Sequence, residues 1–185
     1  MARCARGDRR AMDVLVHRYH GKLLDFAFRH LRDREASADI AQAVLVKVFE
    51  NAANYRQTAS FKTWLYKIAL NAIRDECRRR NVRKESIASQ MGESGSELEE
   101  PSAFIGSGRS DEDSPFSQMA AAMVWETVDE LREEHRSAVL LRFRQGLTCE
   151  EIADVMGTSS GTVRSWIHYA LKRLRVLLEP AHSED

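Results

Sequence analysis

The chain lacks most of the features that mark the commoner chemistries. Its three cysteines, Cys4, Cys77 and Cys149, are scattered and never form a C-x-x-C pair. That argues against a disulfide framework or a zinc knuckle and fits a reducing compartment. No apolar run reaches about eighteen residues and no signal-peptide core is present, so neither membrane insertion nor export is expected, and the expected location is cytoplasmic. There is no Gly-rich phosphate loop, no G-x-S-x-G and no H-E-x-x-H. His17 and His20 are helical neighbours, but no convincing metal partner accompanies them. The expectation is therefore no catalytic site, no metal and no cofactor. Alternating strand patterns and internal repeats are missing as well, which leaves an all-α fold.

What is present is charge, unevenly spread. The net charge is zero. Yet residues 1–84 hold 19 Lys/Arg against 9 Asp/Glu, and residues 85–117 hold one Arg against 8 acids. From Val155 to Leu178 there are four basic side chains and no acidic one. Basic, acidic, then locally basic is a distribution suited to nucleic-acid contact rather than to even solvation.

The stretch from Leu147 to Leu178 is the most informative. Thr148 with Glu151 three residues later is a capping box that opens a short helix. Ile152, Ala153, Val155 and Met156 form its apolar side, and Gly157 ends it where a left-handed residue costs least. A second helix opens at Ser159 or Ser160 with Val163, Ile167, Ala170, Leu174 and Leu177 on one stripe. Opposite that stripe lie Arg164, Ser165, His168, Tyr169 and Lys172. A helix-turn-helix with this face fits the DNA major groove. The plainer alternative is a helical hairpin with a solvated face.

Elsewhere the chain reads as helices too. Met12, Leu15, Val16, Tyr19, Leu23, Leu24, Ala27, Phe28 and Leu31 recur at helical spacing, with a break at Arg32–Arg34. A second helix puts Ile40, Val44, Val48 and Phe49 on one side, and Asn51 to Ser60 reads as a loop. A third carries Phe61, Trp64, Leu65, Ile68, Ala69, Ala72 and Ile73 inward and shows Lys62, Lys67, Asn71, Arg74, Arg78 and Arg79 outward. Residues 85–117 are rich in Ser, Gly and Glu and hold two of the three prolines, which predicts a flexible linker. Helix resumes over 119–145, with Val124, Val128, Leu131, Val139, Leu140, Leu141 and Phe143 as support for the helix-turn-helix. The expected architecture is two small helical domains, 1–84 and 118–185, joined by the acidic segment 85–117.

These segments resemble bacterial sigma factors of the extracytoplasmic-function type, the two-domain branch of the sigma-70 family. ARGDRRAMDVLVHRYHGKLLDFAF is similar to the family's first helix, and DIAQAVLVKVF to its polymerase-docking element. SFKTWLYKIALNAIRDECRRR and LTCEEIADVMGTSSGTVRSWIHYALKRLR are the stronger matches. The resemblance implies region 2 in residues 1–84 and region 4 in residues 118–185. It implies core RNA polymerase and promoter DNA as partners, with an anti-sigma factor or a Ser/Thr kinase as candidate regulators.

It also implies roles. Tyr55, Arg56, Gln57 and the loop up to Ser60, with Asn71, Trp64 and Phe61, would hold an unstacked base of the −10 element. Lys62, Lys67, Arg74, Arg78 and Arg79 would neutralise phosphates. For Trp64 and Phe61 the competing reading is core packing. On the last helix Arg164, Ser165, His168 and Tyr169 would meet −35 bases or backbone, and Lys172 and Arg173 phosphates. Trp166 stands where the family usually has a basic residue. Asp39, Gln42 and Lys47 would face the polymerase. The family's docking helix typically opens with an acidic cluster, where this chain has Ala36, Ala38 and Ala43. Added phosphate would restore that charge, with Thr63 and Ser37 as leading acceptors. The competing functions are a stand-alone helix-turn-helix regulator that binds duplex DNA without polymerase and an interaction scaffold.

Overall fold

The computed structural model describes residues 3–6, 8–55, 59–90 and 124–178, and the acidic segment expected as a linker lies almost wholly outside them. All its regular structure is helical among the described residues. The chain divides into two compact units, Met1–Gln57 with Leu65–Phe104, and Thr58–Trp64 with Ile105–Asp185.

The first unit is built on α1 (Arg9–Leu31), α2 (Arg34–Glu50) and most of α3 (Phe61–Gln90). Asp8 caps α1 by accepting from the Ala11 N–H at 3.1 Å. The expected break falls at two residues. Arg32 takes the left-handed conformation at φ 53° and closes α1, and Asp33 at once caps α2. α3 runs past Lys84 to Gln90, into the stretch expected as linker. A short 3-10 turn, Ala52–Asn54, interrupts the expected loop and packs against another at Cys4–Arg6.

Leu23, Phe26, Ala27, Val44, Val48, Leu65, Tyr66, Leu70 and Ile73 are the heart of this core. Fully burying one such side chain contributes about 1.5–3 kcal/mol. Phe26, Tyr66 and Leu70 were not among the residues expected inward. Phe26 and Tyr66 meet edge to face at 5.3 Å between ring centres. Burial, with Tyr19 and Asp25 close by, pushes the Tyr66 hydroxyl well above the usual phenol range. Phe49 corrects the sequence reading in the other direction, being 50% exposed. At 3.6 residues per turn it sits about half a turn round α2 from Ile40, so its apolar character did not place it in the stripe.

The second unit holds helical residues 124–129, α4 (Glu133–Val139), α5 (Cys149–Met156) and α6 (Ser160–Leu178). α4 widens into a π-helical turn over Leu140–Arg144, closed by the Gln145 N–H on the Leu140 carbonyl at 3.2 Å. Val128, Leu131, Val139, Leu140 and Leu141 are buried as expected, whereas Val124 and Phe143 are exposed. Arg136 donates to the Asp129 carbonyl at 2.9 Å and Arg142 to the Leu147 carbonyl at 2.9 Å, fixing the turns before α4 and α5.

Candidate nucleic-acid interface

Local chemistry sets the helix-turn-helix. Thr148 Oγ1 accepts from the Glu151 N–H at 3.2 Å, and Glu151 Oε2 accepts from the Thr148 N–H at 2.9 Å. The capping box is therefore complete, and the Thr148 backbone bond is the main cause holding the Glu151 carboxyl below its usual range. Gly157, at φ 70°, is left-handed and releases its N–H to the Ala153 carbonyl at 2.8 Å. Ser159 Oγ accepts from the Thr162 N–H at 3.0 Å and so caps α6, which begins at Ser160.

Val163, Ala170 and Leu174 are buried, Ile167 and Trp166 half-buried, and Leu177, expected inward, is exposed near the end of α6. With that side anchored, Arg164, Ser165, His168, Tyr169, Lys172 and Arg173 all emerge exposed. Their spacing of one and four residues makes two adjacent rows on one face. Ser165 spends its hydroxyl proton on the Gly161 carbonyl at 3.2 Å and offers its oxygen as acceptor. The His168 and Tyr169 rings stand edge to face at 5.7 Å. Arg164 is already engaged. Its Nη2 donates to Glu150 Oε1, on the first turn of α5, at 2.8 Å. Glu150 was not singled out from sequence, because only the crossing of α5 and α6 brings residues so far apart together.

On α3, Lys67, Asn71 and Arg78 are exposed and Arg74 is half-buried. They follow one another at i, i+4, i+7 and i+11 and so form one line along the helix. Arg78 also holds Asp75 at 3.2 Å, an exposed pair that costs little to exchange for a phosphate. Lys62 is exposed on another face and does not join the line. Trp64 and Phe61 are both half-buried, with ring centres 6.2 Å apart. Tyr55 is half-buried, and Arg56 and Gln57 lie outside the described residues.

On α2, Asp39, Gln42 and Lys47 are exposed. Gln42 borders an apolar groove of about 410 Å³ between α1 and α2 that Met12, Val16, Val46 and Phe49 also line. Ser37 is 0% exposed and its hydroxyl donates to the Asp33 carbonyl. Thr63 is 2% exposed in the first turn of α3, its Oγ1 lying 2.8 Å from Ser60 Oγ. No cluster of His, Cys, Asp and Glu able to hold a metal occurs among the described residues, and no described helix is long and apolar enough to cross a membrane.

One unit thus presents a helix-turn-helix with an exposed cationic face, and the other a basic line along α3, an arrangement suited to nucleic acid. The family model for Sigma-70 region 2 matches residues 15–83, and that for Sigma-70, region 4 matches residues 128–176. The RNA polymerase sigma-H factor of Pseudomonas aeruginosa is 34% identical over 96% of this chain and 91% of its own length. The ECF RNA polymerase sigma-E factor of Escherichia coli K12 is 31% identical over 96% of this chain and 92% of its own length. Two solved structures share the fold, each at TM-score 0.67. CnrH in complex with the cytosolic domain of CnrY is 22% identical, over 96% of this chain and 94% of that one. The sigma factor RpoE in complex with the anti-sigma factor NepR from Bartonella quintana is 21% identical, over 91% of this chain and 97% of that one.

The chain belongs to the sigma-70 family of RNA polymerase sigma factors, in its extracytoplasmic-function branch. It is accordingly a DNA-binding factor of transcription initiation.

Proposed function

We propose that this sigma factor reads the two promoter elements with two separate helical faces and docks on core polymerase through α2. The observation that carries the reading is the face of α6. Its opposite side is anchored by Val163, Ala170 and Leu174, so Arg164, Ser165, His168, Tyr169, Lys172 and Arg173 project together. Arg164 has the fork geometry for guanine O6 and N7, and Lys172 and Arg173 suit phosphates of the −35 duplex.

For the −10 element the line Lys67, Asn71, Arg74 and Arg78 supplies cations with one amide at its centre. Tyr55, Arg56, Gln57 and Trp64 complete the proposed contact set, with Lys62 as an outlying phosphate contact. The chain supplies these binding surfaces and leaves bond making to polymerase, in the cytoplasm where polymerase works. The regions assigned are 1–84 and 118–185, with 85–117 as an acidic connector.

Asp39, Gln42 and Lys47 face core polymerase in this reading. Asp33 contributes little there, because it already caps α2 and binds Arg80, leaving Glu35 and Asp39 as the exposed acids of that stretch. An anti-sigma factor, as in the complex of RpoE with NepR, is one regulator this fold would accommodate. Phosphate added by a Ser/Thr kinase is the other. Ser37 is the poorer acceptor, since its hydroxyl is buried and committed to Asp33. Thr63 stands at a helix N-terminus, which favours phosphate, but its hydroxyl is buried and lies 3.4 Å from the Glu151 carboxylate, which would have to move away first.

The test is to mix purified protein with core polymerase. Co-elution and promoter-specific transcription are expected. Specific duplex binding by the free protein, without polymerase dependence, would instead indicate a stand-alone regulator.

A further inference from the structure

We infer that Glu150 is a positioning residue that sets base specificity in the −35 element by holding Arg164. The inference rests on Arg164 reading a base, and deepens that reading.

Glu150 lies in the first turn of α5, where the helix N-terminus favours a carboxylate. Its Oε1 accepts from Arg164 Nη2 at 2.8 Å, across the turn from the fifth residue of α6. The two side chains are 65% and 62% exposed. An ion pair that open contributes almost nothing to folding, so holding the fold together is a poor account of it. What it does change is the freedom of Arg164. A free arginine samples many rotamers and must give them up at a base edge, whereas a pinned guanidinium meets the groove already aimed. The guanidinium has five N–H donors. Glu150 takes one, which leaves enough for a two-point contact with guanine.

The carboxylate also carries a penalty. A negative charge at the rim of a DNA-reading face repels phosphates on every sequence. Glu150 thus trades affinity for discrimination, and the two effects separate experimentally. A purely structural residue would lower both together.

The experiment assembles holoenzyme from the full chain and core polymerase and scores transcription from a promoter library randomised across the −35 element. Affinity of the free chain for random-sequence duplex is measured in parallel. Arg164→Ala should reduce preference at one base pair by roughly ten-fold or more. Glu150→Ala should reduce preference at that same base pair by about two- to ten-fold, while affinity for random duplex holds or rises. Glu150→Gln, which keeps an acceptor without the charge, should recover most of the preference. In the Arg164→Ala background, Glu150→Ala should change nothing further at that base pair.

If Arg164→Ala costs all sequences alike, the base-reading assignment of Arg164 fails and the inference falls with it. If Arg164→Ala behaves as expected but Glu150→Ala leaves preference intact, the positioning role alone is wrong. A Glu150→Ala effect that persists without Arg164, or that falls at a different base pair, would mean Glu150 contacts a base itself, and also overturns the role.

Discussion

Arg80 of α3 reaches Asp33 at the start of α2, its Nη2 donating to Oδ2 at 2.8 Å. The same carboxylate accepts from the Ala36 N–H through Oδ1 at 3.0 Å. Arg80 in turn holds Glu76 at 2.9 Å, and Glu76 holds Arg79 at 3.2 Å. One side chain thus starts the proposed docking helix and ties it to the helix proposed to meet the −10 element. The Ala36 N–H is the main cause keeping the Asp33 carboxyl below its ordinary range, and Arg80 adds to it.

Asp33→Ala should therefore destabilise the chain by about 1 kcal/mol, the usual cost of losing an N-cap. Asp33→Asn keeps an acceptor for the cap and discards only the ion pair, so it should cost less, and Arg80→Ala less still. A depressed carboxyl stabilises above the unfolded-state value of about 3.9 and loses that contribution as pH falls through the folded value. Urea unfolding at neutral pH and near pH 3 should show the gap between wild type and Asp33→Ala narrowing in acid. A gap that persists or widens in acid would contradict this.

The capping box gives a second stability prediction. Thr148→Ala removes the acceptor for the Glu151 N–H and should cost about 1 kcal/mol. Thr148→Ser should cost much less. If α6 is the helix that reads DNA and α5 only supports it, Thr148→Ala should weaken all −35 variants by a similar factor, measured by promoter binding of the holoenzyme. Selective loss at one base pair would place Thr148 at the DNA instead.

These particulars show what a linear sequence carries. The Thr148–Glu151 box, the stop at Gly157 and the break at Arg32–Asp33 are local events within four residues, and all were legible. So was the exposed face of α6, since Val163, Ala170 and Leu174 fix the opposite side. Phe49 misled because apolar character was allowed to outweigh helical angle, and Phe143 because it falls in the π-helical turn over Leu140–Arg144, which regular helical spacing does not anticipate. Phe26, Tyr66 and Leu70 were missed because a helix packed on two neighbours buries a wider arc than one stripe. The pairs Asp33–Arg80 and Glu150–Arg164 depend on how helices cross, which no local pattern records. Glu150 looked like half of an ordinary acidic first turn.

Phosphate contacts and base contacts should separate by salt. Lys172 is exposed on the outer part of α6, and Lys172→Ala should weaken binding to every −35 variant alike. The slope of log affinity against log salt should fall by about 0.9, one phosphate's share. A titration at several salt concentrations against matched and mismatched duplexes checks this. An unchanged slope would remove Lys172 from the phosphate-contacting set.

The docking surface yields the last prediction. By the resemblance, Ala36, Ala38 and Ala43 stand where an acidic cluster is expected to open the docking helix, and Asp33 is committed to its cap and to Arg80. Ala38 and Ala43 are exposed on α2, and Ala36 is half-exposed at its first turn. Carboxylates at these sites would add charge without disturbing the buried Ser37, Ala41 and Val44 side. Ala36→Asp/Ala38→Glu/Ala43→Glu should therefore bind core polymerase more tightly than wild type, mainly through faster association that fades with salt. Kinase treatment should move wild type in the same direction if Thr63 carries the regulatory phosphate, and Thr63→Ala should abolish that shift. Stopped-flow association with core polymerase at low and high salt reads all three. Equal rates for wild type and the acid-restored variant would show that Glu35 and Asp39 suffice, and that charge on α2 is not what limits docking.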